Sequence, residues 1–246
     1  MKKLLLPLAI GSALSLVGCG SGDEAPVTET EVSVAASRVV FDPSNGALPV
    51  PTNILLSGSV DGTLNLPVED ASDIANPQVA INGLDGWGTH STLTFNFSLP
   101  VDENGEKVTI EAASLEAQGS IRVFETIQGG SAVSEQCAAA NPAAVCAVTG
   151  ELEHNTDFTV KATGEGSVAV VPLRPFKPKT GYLVVLTDNI QDSLGRDVKP
   201  SQTYTLMKRN ADEKPVSGDE SALSLQRLVN SYEGALVQSE YGVDPE

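Results

Sequence analysis

Aromatic side chains are scarce in this chain, 4% of its 246 residues, and Lys and Arg number 15 against 32 Asp and Glu. Histidine occurs twice and cysteine three times. Each shortage excludes something. Affinity for nucleic acid comes largely from the counterions that Lys and Arg displace. A formal charge of −17 therefore repels phosphate backbones and removes nucleic acid as a partner class. The acidity reads instead as a solvated surface that keeps the protein in solution. A closed zinc site takes four ligands, and His90 and His154 stand at no recognisable spacing from the cysteines, so no metal is expected. Phosphate-binding glycine loops and dinucleotide fingerprints are missing, so no cofactor is expected either. Nor does the sequence hold G-x-S-x-G, the sharp turn that presents a hydrolase serine. GGSAV at 129–133 lacks the closing glycine. His90 neighbours Ser91, but adjacent residues of an extended chain face opposite ways and form no relay. No catalytic residue is expected in this chain.

What is present describes a β protein with an address. Hydrophobic residues make up 41% of the chain, enough to bury a core. The 22 Gly and 15 Pro, with many Val, Thr and Ser, point to short strands and frequent turns. Residues 92–99, TLTFNFSL, place Leu93, Phe95, Phe97 and Leu99 on one face and polar residues on the other, the period-two pattern of a half-buried strand. GSIRVFET, FTVKAT, SVAVV and GYLVVLT repeat it between turns such as DENGEK at 102–107. The spacing predicts a sandwich or barrel. Asp188, Asn189 and Asp192, like Asp102, Asn104 and Glu106, depart from the twelve-residue calcium loop and read as Asx turns.

Lys2 and Lys3 precede LLLPLAIGSALSLVG, an apolar run too short to span a bilayer comfortably and shaped as a secretory signal. Leu16-Val17-Gly18-Cys19 resembles the bacterial lipoprotein box, in which the cysteine is acylated and becomes the mature N-terminus. One acyl chain holds a protein marginally, two or more hold it stably, and a bacterial lipoprotein cysteine carries three. Cys19 is therefore expected to be the lipidation site and the membrane the first partner. In such lipoproteins an Asp after the cysteine favours the inner membrane. Here Gly20 follows, so the expected location is the outer membrane, lipid-anchored and exposed at the surface, with secretion as the alternative. Residues 20–37 carry no apolar side chain larger than valine and read as a flexible tether. Export into an oxidising compartment makes a disulfide the expected state of Cys137 and Cys146. Closing that short loop is worth roughly 2.5 to 3 kcal/mol.

Residues 173–204 run from two prolines through Tyr182 and an Asp192–Gly195 turn into a last short strand. They resemble the closing half of an immunoglobulin-like surface domain. That resemblance makes Tyr182 a corner tyrosine whose hydroxyl bonds backbone. FDPSNGALPVPTNILLSGSVDGTLNLPVED at 41–70, AINGLDGWGTHSTLTFNFS at 80–98 and the 173–204 stretch together resemble the N-terminal domain of bacterial virulence-factor lipases, large secreted or surface-anchored lipases and lysophospholipases of Gram-negative bacteria. In those proteins an aspartate commonly follows the asparagine after the LPxP segment; here Ile54 follows Asn53. The resemblance implies a β-rich, non-catalytic module placed before a carboxylic ester hydrolase domain encoded downstream. No position matches that domain's nucleophile motif, so no catalytic residue carries over.

The tail, 217–242, places Ala222, Leu225, Leu228, Val229, Tyr232 and Leu236 on one stripe and predicts an amphipathic helix of about five turns, opened by Ser217 and Glu220 at capping-box spacing. The expected organisation is a signal peptide at 1–18, a tether at 19–37, an all-β, immunoglobulin-like sandwich of short antiparallel strands at 38–212, and a helical segment at 213–246 leading towards a hydrolase. The alternative is a free-standing outer-membrane lipoprotein that binds a glycan, a protein or an envelope component. Trp87, the single tryptophan, sits among glycines in LDGWGTHS and is the candidate binding residue.

Overall fold

The structure, a computed structural model, describes residues 35–164 and 166–244. The signal peptide, Cys19 and nearly all of the tether lie outside the described residues. Among the described residues seven strands run in chain order: β1 (Arg38–Val39), β2 (Leu93–Ser98), β3 (Ile121–Gln128), β4 (Val145–Glu151), β5 (Phe158–Gly164), β6 (Ser167–Pro172) and β7 (Gly181–Leu186). They form two antiparallel sheets, one in the order β1-β2-β6-β5 and the other β4-β3-β7. Among the described residues there are also five α-helices, α1 (Pro77–Ile81), α2 (Ala112–Leu115), α3 (Glu135–Ala139), α4 (Gln202–Met207) and α5 (Glu220–Val237), and two short 3-10 helices, Pro43–Asn45 and Asn53–Leu56.

Alternation sets the core between the sheets. Phe95 and Phe97 of β2 are buried while Thr94, Asn96 and Ser98 face water. They meet Ile121, Val123, Phe158, Val160, Val168 and Val170, and burying each such side chain stabilises the fold by about 2 kcal/mol. β3 breaks the alternation because both of its faces are covered. Val123 points into the core, while Phe124, equally buried, lies under Tyr241 and the Arg122 guanidinium.

That second cover comes from the tail. The inward residues Leu228, Val229, Ala235 and Leu236 of α5 are buried, and the helix lies against β4. Its first half closes a second apolar cluster of Leu56, Leu64, Ala143, Ala144 and Leu228. The helix start differs from the capping box expected of Ser217 and Glu220. Asp219 is the N-cap and accepts the Ala222 amide, while Ser217 accepts the Asp219 amide. Glu220 is thus the first helical residue, two positions short of where a capping box needs it.

Two further differences concern strands. β4 lies in a stretch with no clean alternation, and it forms because β3 supplies a ladder that absorbs two register shifts. The segment after the Asp192 turn forms no separate strand. Val39 and Lys199 donate their amides to the carbonyls of Lys199 and Ser37, laying that segment parallel to β1. Ser37, read from sequence as the last tether residue, is buried and donates its hydroxyl to Asp192.

Candidate functional site: an aromatic cleft beside an open sheet edge

β7 pairs with β3 on one side and, among the described residues, with no strand on the other. In an antiparallel ladder alternate residues turn their amides and carbonyls outward, so half of the backbone groups of GYLVVL face away from β3. They open onto a cleft of about 1840 Å³. One wall is the loop from Asp85 to Ser91, the other α4 with the C-terminal half of α5, and Gly242 to Asp244 form part of the rim. Loop and floor are tied together, since the Phe176 amide donates to the Thr89 carbonyl at 2.8 Å.

The scarce aromatics collect here. The single Trp, three of four Tyr and three of six Phe line the cleft. Phe176 stacks on Tyr182 with centroids 4.3 Å apart, and Tyr182 Oη accepts the Lys177 backbone N–H at 2.8 Å. This is the backbone bond expected of Tyr182. Phe41 meets Tyr204 edge to face at 5.6 Å. The Tyr204 hydroxyl donates to Glu233 Oε1, and the Tyr232 hydroxyl donates to the Ala143 carbonyl. Burial pushes both phenols far above the ordinary tyrosine value. Burial also pushes the Glu233 carboxyl up, against the opposing pull of the Tyr204 bond and the Lys208 charge.

Three lining residues each bury one polar atom that has neither a hydrogen-bond partner nor an accessible face: Trp87 Nε1, Gln128 Oε1 and Glu233 Oε2. They come from a loop, a strand end and a helix. Gln128 keeps its place because residue 181 has no side chain; a Cβ there would collide with the Gln128 amide and Thr126 Oγ1. Gln128 Nε2 donates to Thr126 Oγ1, which leaves the amide oxygen bare. The Cys137–Cys146 disulfide, with Cα atoms 5.8 Å apart, is formed. It braces the turn that sets Pro142 and Ala143 in the cleft lining.

Of the other candidate residues, Ser91, Asp188 and Asn189 line the cleft, whereas His90, His154, Asp102 and Asp192 lie apart from it. The ring of exposed His90 meets its neighbour Thr89 at 3.4 Å, and the His154 ring lies 5.4 Å from Phe158. Neither histidine lines the cleft. Asp102 accepts the amides of Asn104 and Glu106, an Asx turn closed on itself. Asp192, fully buried, accepts from Ser37, from the Leu194 and Arg196 amides and from the Arg196 guanidinium. Among the described residues no group of three or more His, Cys, Asp or Glu is placed to hold a metal ion, and no helix is long and apolar enough to cross a membrane. The arrangement offers aromatic faces beside an open sheet edge, which is the equipment of a binding site. Of its residues, sequence reasoning singled out Trp87 and Tyr182. It missed Gln128, Tyr204 and Glu233, of which only Tyr204 carried a signal, as one of four tyrosines.

The chain is similar in sequence to known proteins. The family model described as bacterial virulence factor lipase N-terminal matches residues 26–246. An extracellular lipase of Aeromonas hydrophila is 30% identical over 217 residues, which is 86% of this chain and 28% of the lipase. The chain thus spans little more than a quarter of that relative's length. No solved structure matches.

Proposed function

The chain belongs to the bacterial virulence factor lipase N-terminal family, and from that premise we propose that it is a lipidated, non-catalytic module of a surface-anchored lipase or phospholipase. The carrying observation is that the family match runs over residues 26–246 while the sequence holds no G-x-S-x-G. A cleft without histidine supports the same reading, since a serine nucleophile needs a base within hydrogen-bond reach. The chemistry then belongs to a separate hydrolase domain, and this module supplies its attachment and a binding surface. Three acyl chains on Cys19 provide the attachment, and Gly20 favours the outer membrane.

Two measurements test the proposal. Mass spectrometry of the exported protein should find a triacylated Cys19 at the N-terminus, and Cys19→Ala should release the protein from membranes. An unmodified N-terminus would remove the anchor. The purified mature chain should hydrolyse ester substrates no faster than buffer does; saturable turnover lost on changing one serine would overturn the non-catalytic role. The aromatic cleft favours one other reading, a free-standing lipoprotein whose task is binding. The DNA beyond codon 246 separates the two: an in-frame or frameshifted hydrolase supports the module, and a clean terminator supports the free-standing protein.

A further inference from the structure

The sandwich is unfinished along β7. The Thr187 amide donates to the Ser120 carbonyl at 3.0 Å, which sets the parity of the ladder between β3 and β7. Leu183 and Val185 therefore bond inward to β3, while Tyr182, Val184 and Leu186 turn their amides and carbonyls outward. Among the described residues no backbone group pairs with those three. Their side chains point between the sheets. Yet Tyr182, Val184 and Leu186, with Val39 and Leu93 of the opposite sheet, are only partly buried against the core, and all five line the cleft. An open ladder and a half-covered core thus run side by side. An open edge is a template for another chain, and apolar surface left open beside it marks an interaction site. The charges of the lining add a direction. Arg122, Lys177 and Lys199 are paired with Glu151, Glu125 and Asp197, and Lys208 faces Glu233. Lys179, two residues before β7, and Asp188, two residues after it, are exposed and carry no ion pair among the described residues. The edge is therefore positive where β7 starts and negative where it ends.

We propose that the cleft takes an extended segment of a separate polypeptide as an added strand, antiparallel to β7, with alternate apolar side chains filling the gap between the sheets. A basic residue at its N-terminal end then lies beside Asp188, and an acidic one at its C-terminal end beside Lys179. Its backbone pairs with the outward groups of Tyr182, Val184 and Leu186. In such a ladder paired residues share a side-chain face, so the positions that bond to β7 are the apolar ones. Antiparallel pairing also continues the rule of both sheets. The walls decide between occupants. The loop from Asp85 to Ser91 stands on one side of the edge and α4 with α5 on the other, which admits a single extended chain and keeps out the broad edge of a second sandwich. A lipid chain would fill the gap but leave the row of backbone groups to water. The site serves an accessory module and a free-standing lipoprotein alike, so it does not depend on how the chain is joined to a hydrolase.

The mature chain carrying Cys19→Ala is titrated with the end-capped peptide Lys-Val-Thr-Val-Thr-Val-Glu and with its charge-reversed form, Glu-Val-Thr-Val-Thr-Val-Lys. Emission of Trp87, the single tryptophan and a residue of the cleft wall, follows occupancy, and calorimetry measures affinity. Saturable binding is expected, at least threefold tighter for the first peptide, and Lys179→Glu should erase or reverse that preference. In NMR the exchange of the Tyr182, Val184 and Leu186 amides should slow tenfold or more on binding, while Leu183 and Val185, already bonded to β3, stay unchanged. N-methylation of the three valines removes the bonded amides and should weaken binding at least tenfold. N-methylation of both threonines should leave it within threefold. These peptides require no change to the protein. Val184→Pro deletes an outward N–H that β3 does not use, a place where an edge strand tolerates proline, and should also weaken binding tenfold in a chain that still melts cooperatively. Absence of saturation would overturn the proposal, as would indifference to the position of the methyl groups or unchanged exchange along β7. So would outward amides already protected in the peptide-free protein: at every concentration the chain would be filling its own edge, and only at high concentration a second copy would be.

Discussion

Asp192 carries much of the order at one end of the sandwich, because its buried carboxylate ties Ser37 and Arg196 to a single turn. Burial, the largest influence, pushes its pKa up, but the bonds from Arg196, Ser37 and Leu194 together hold it below the ordinary value. A folded-state pKa below the unfolded one contributes stability that is fully present above roughly pH 4 and is lost as pH falls through the folded value. Asp192→Asn should cost about 2 kcal/mol at neutral pH by leaving its donors imperfectly paired, and the gap to the parent protein should narrow below about pH 4. Denaturant melts across pH 2 to 7 measure both, and an unchanged gap would mean that packing rather than charge holds the turn. The turn was legible in the sequence from the Asp-x-x-Gly spacing. The bond to Ser37 was not, because its partner stands 155 residues upstream and local pattern carries no trace of it. Tyr182 was legible through the resemblance of 173–204 to the closing half of an immunoglobulin-like domain, and its backbone partner lies only five residues away.

α5 shows at the next scale what periodicity reveals and what it conceals. Leu228, Val229 and Leu236 on the predicted stripe are buried, as the 3.6-residue period requires. Gln226, off that stripe, is also fully buried. It accepts the Val216 amide and donates to the Arg209 and Lys214 carbonyls, so it serves the loop that leads into its own helix. A hydrophobicity pattern has no term for a polar side chain that replaces water for buried backbone. Gln226→Met keeps much of the volume and removes three bonds, and it should lower stability by about 2 to 3 kcal/mol in chemical denaturation. A loss under 1 kcal/mol would mean that water takes over those groups. The disulfide acts on the neighbouring element. Replacing Cys137 and Cys146 together by Ala should cost roughly 2.5 to 3 kcal/mol by loosening the unfolded chain's constraint. Because their loop carries Ala143 into the cluster beneath α5, protection of α5 amides from hydrogen exchange should fall as well. β4, the strand missed from sequence, is recovered only through its partner β3, which is why edge strands without alternation escape a local reading.

Charge belongs to the whole molecule and was the most legible property of all, whereas the cleft, built from residues as far apart as Phe41 and Glu233, was invisible until the chain was folded. Loss of residues 1–18 would remove Lys2 and Lys3 and no acid, leaving 13 basic against 32 acidic residues. Such an excess repels itself more in the compact state than in the expanded one, so it works against the fold. Local pairs work the other way. Arg122 with Glu151, Lys161 with Glu116 and Lys177 with Glu125 all meet at 2.7 to 2.8 Å, but exposed pairs contribute only about 0 to 1 kcal/mol each. Salt screens both, and its reach differs. At 0.01 M ionic strength the Debye length is about 30 Å, and at 0.15 M it is about 8 Å. The long-range repulsion is therefore removed well before contacts shorter than 3 Å are weakened. The melting temperature of the mature chain should rise by several degrees between 10 mM and 150 mM sodium chloride and then level off. A fall over that interval would show that the ion pairs outweigh the excess charge, and that the acids sit far enough apart on the surface to ignore one another.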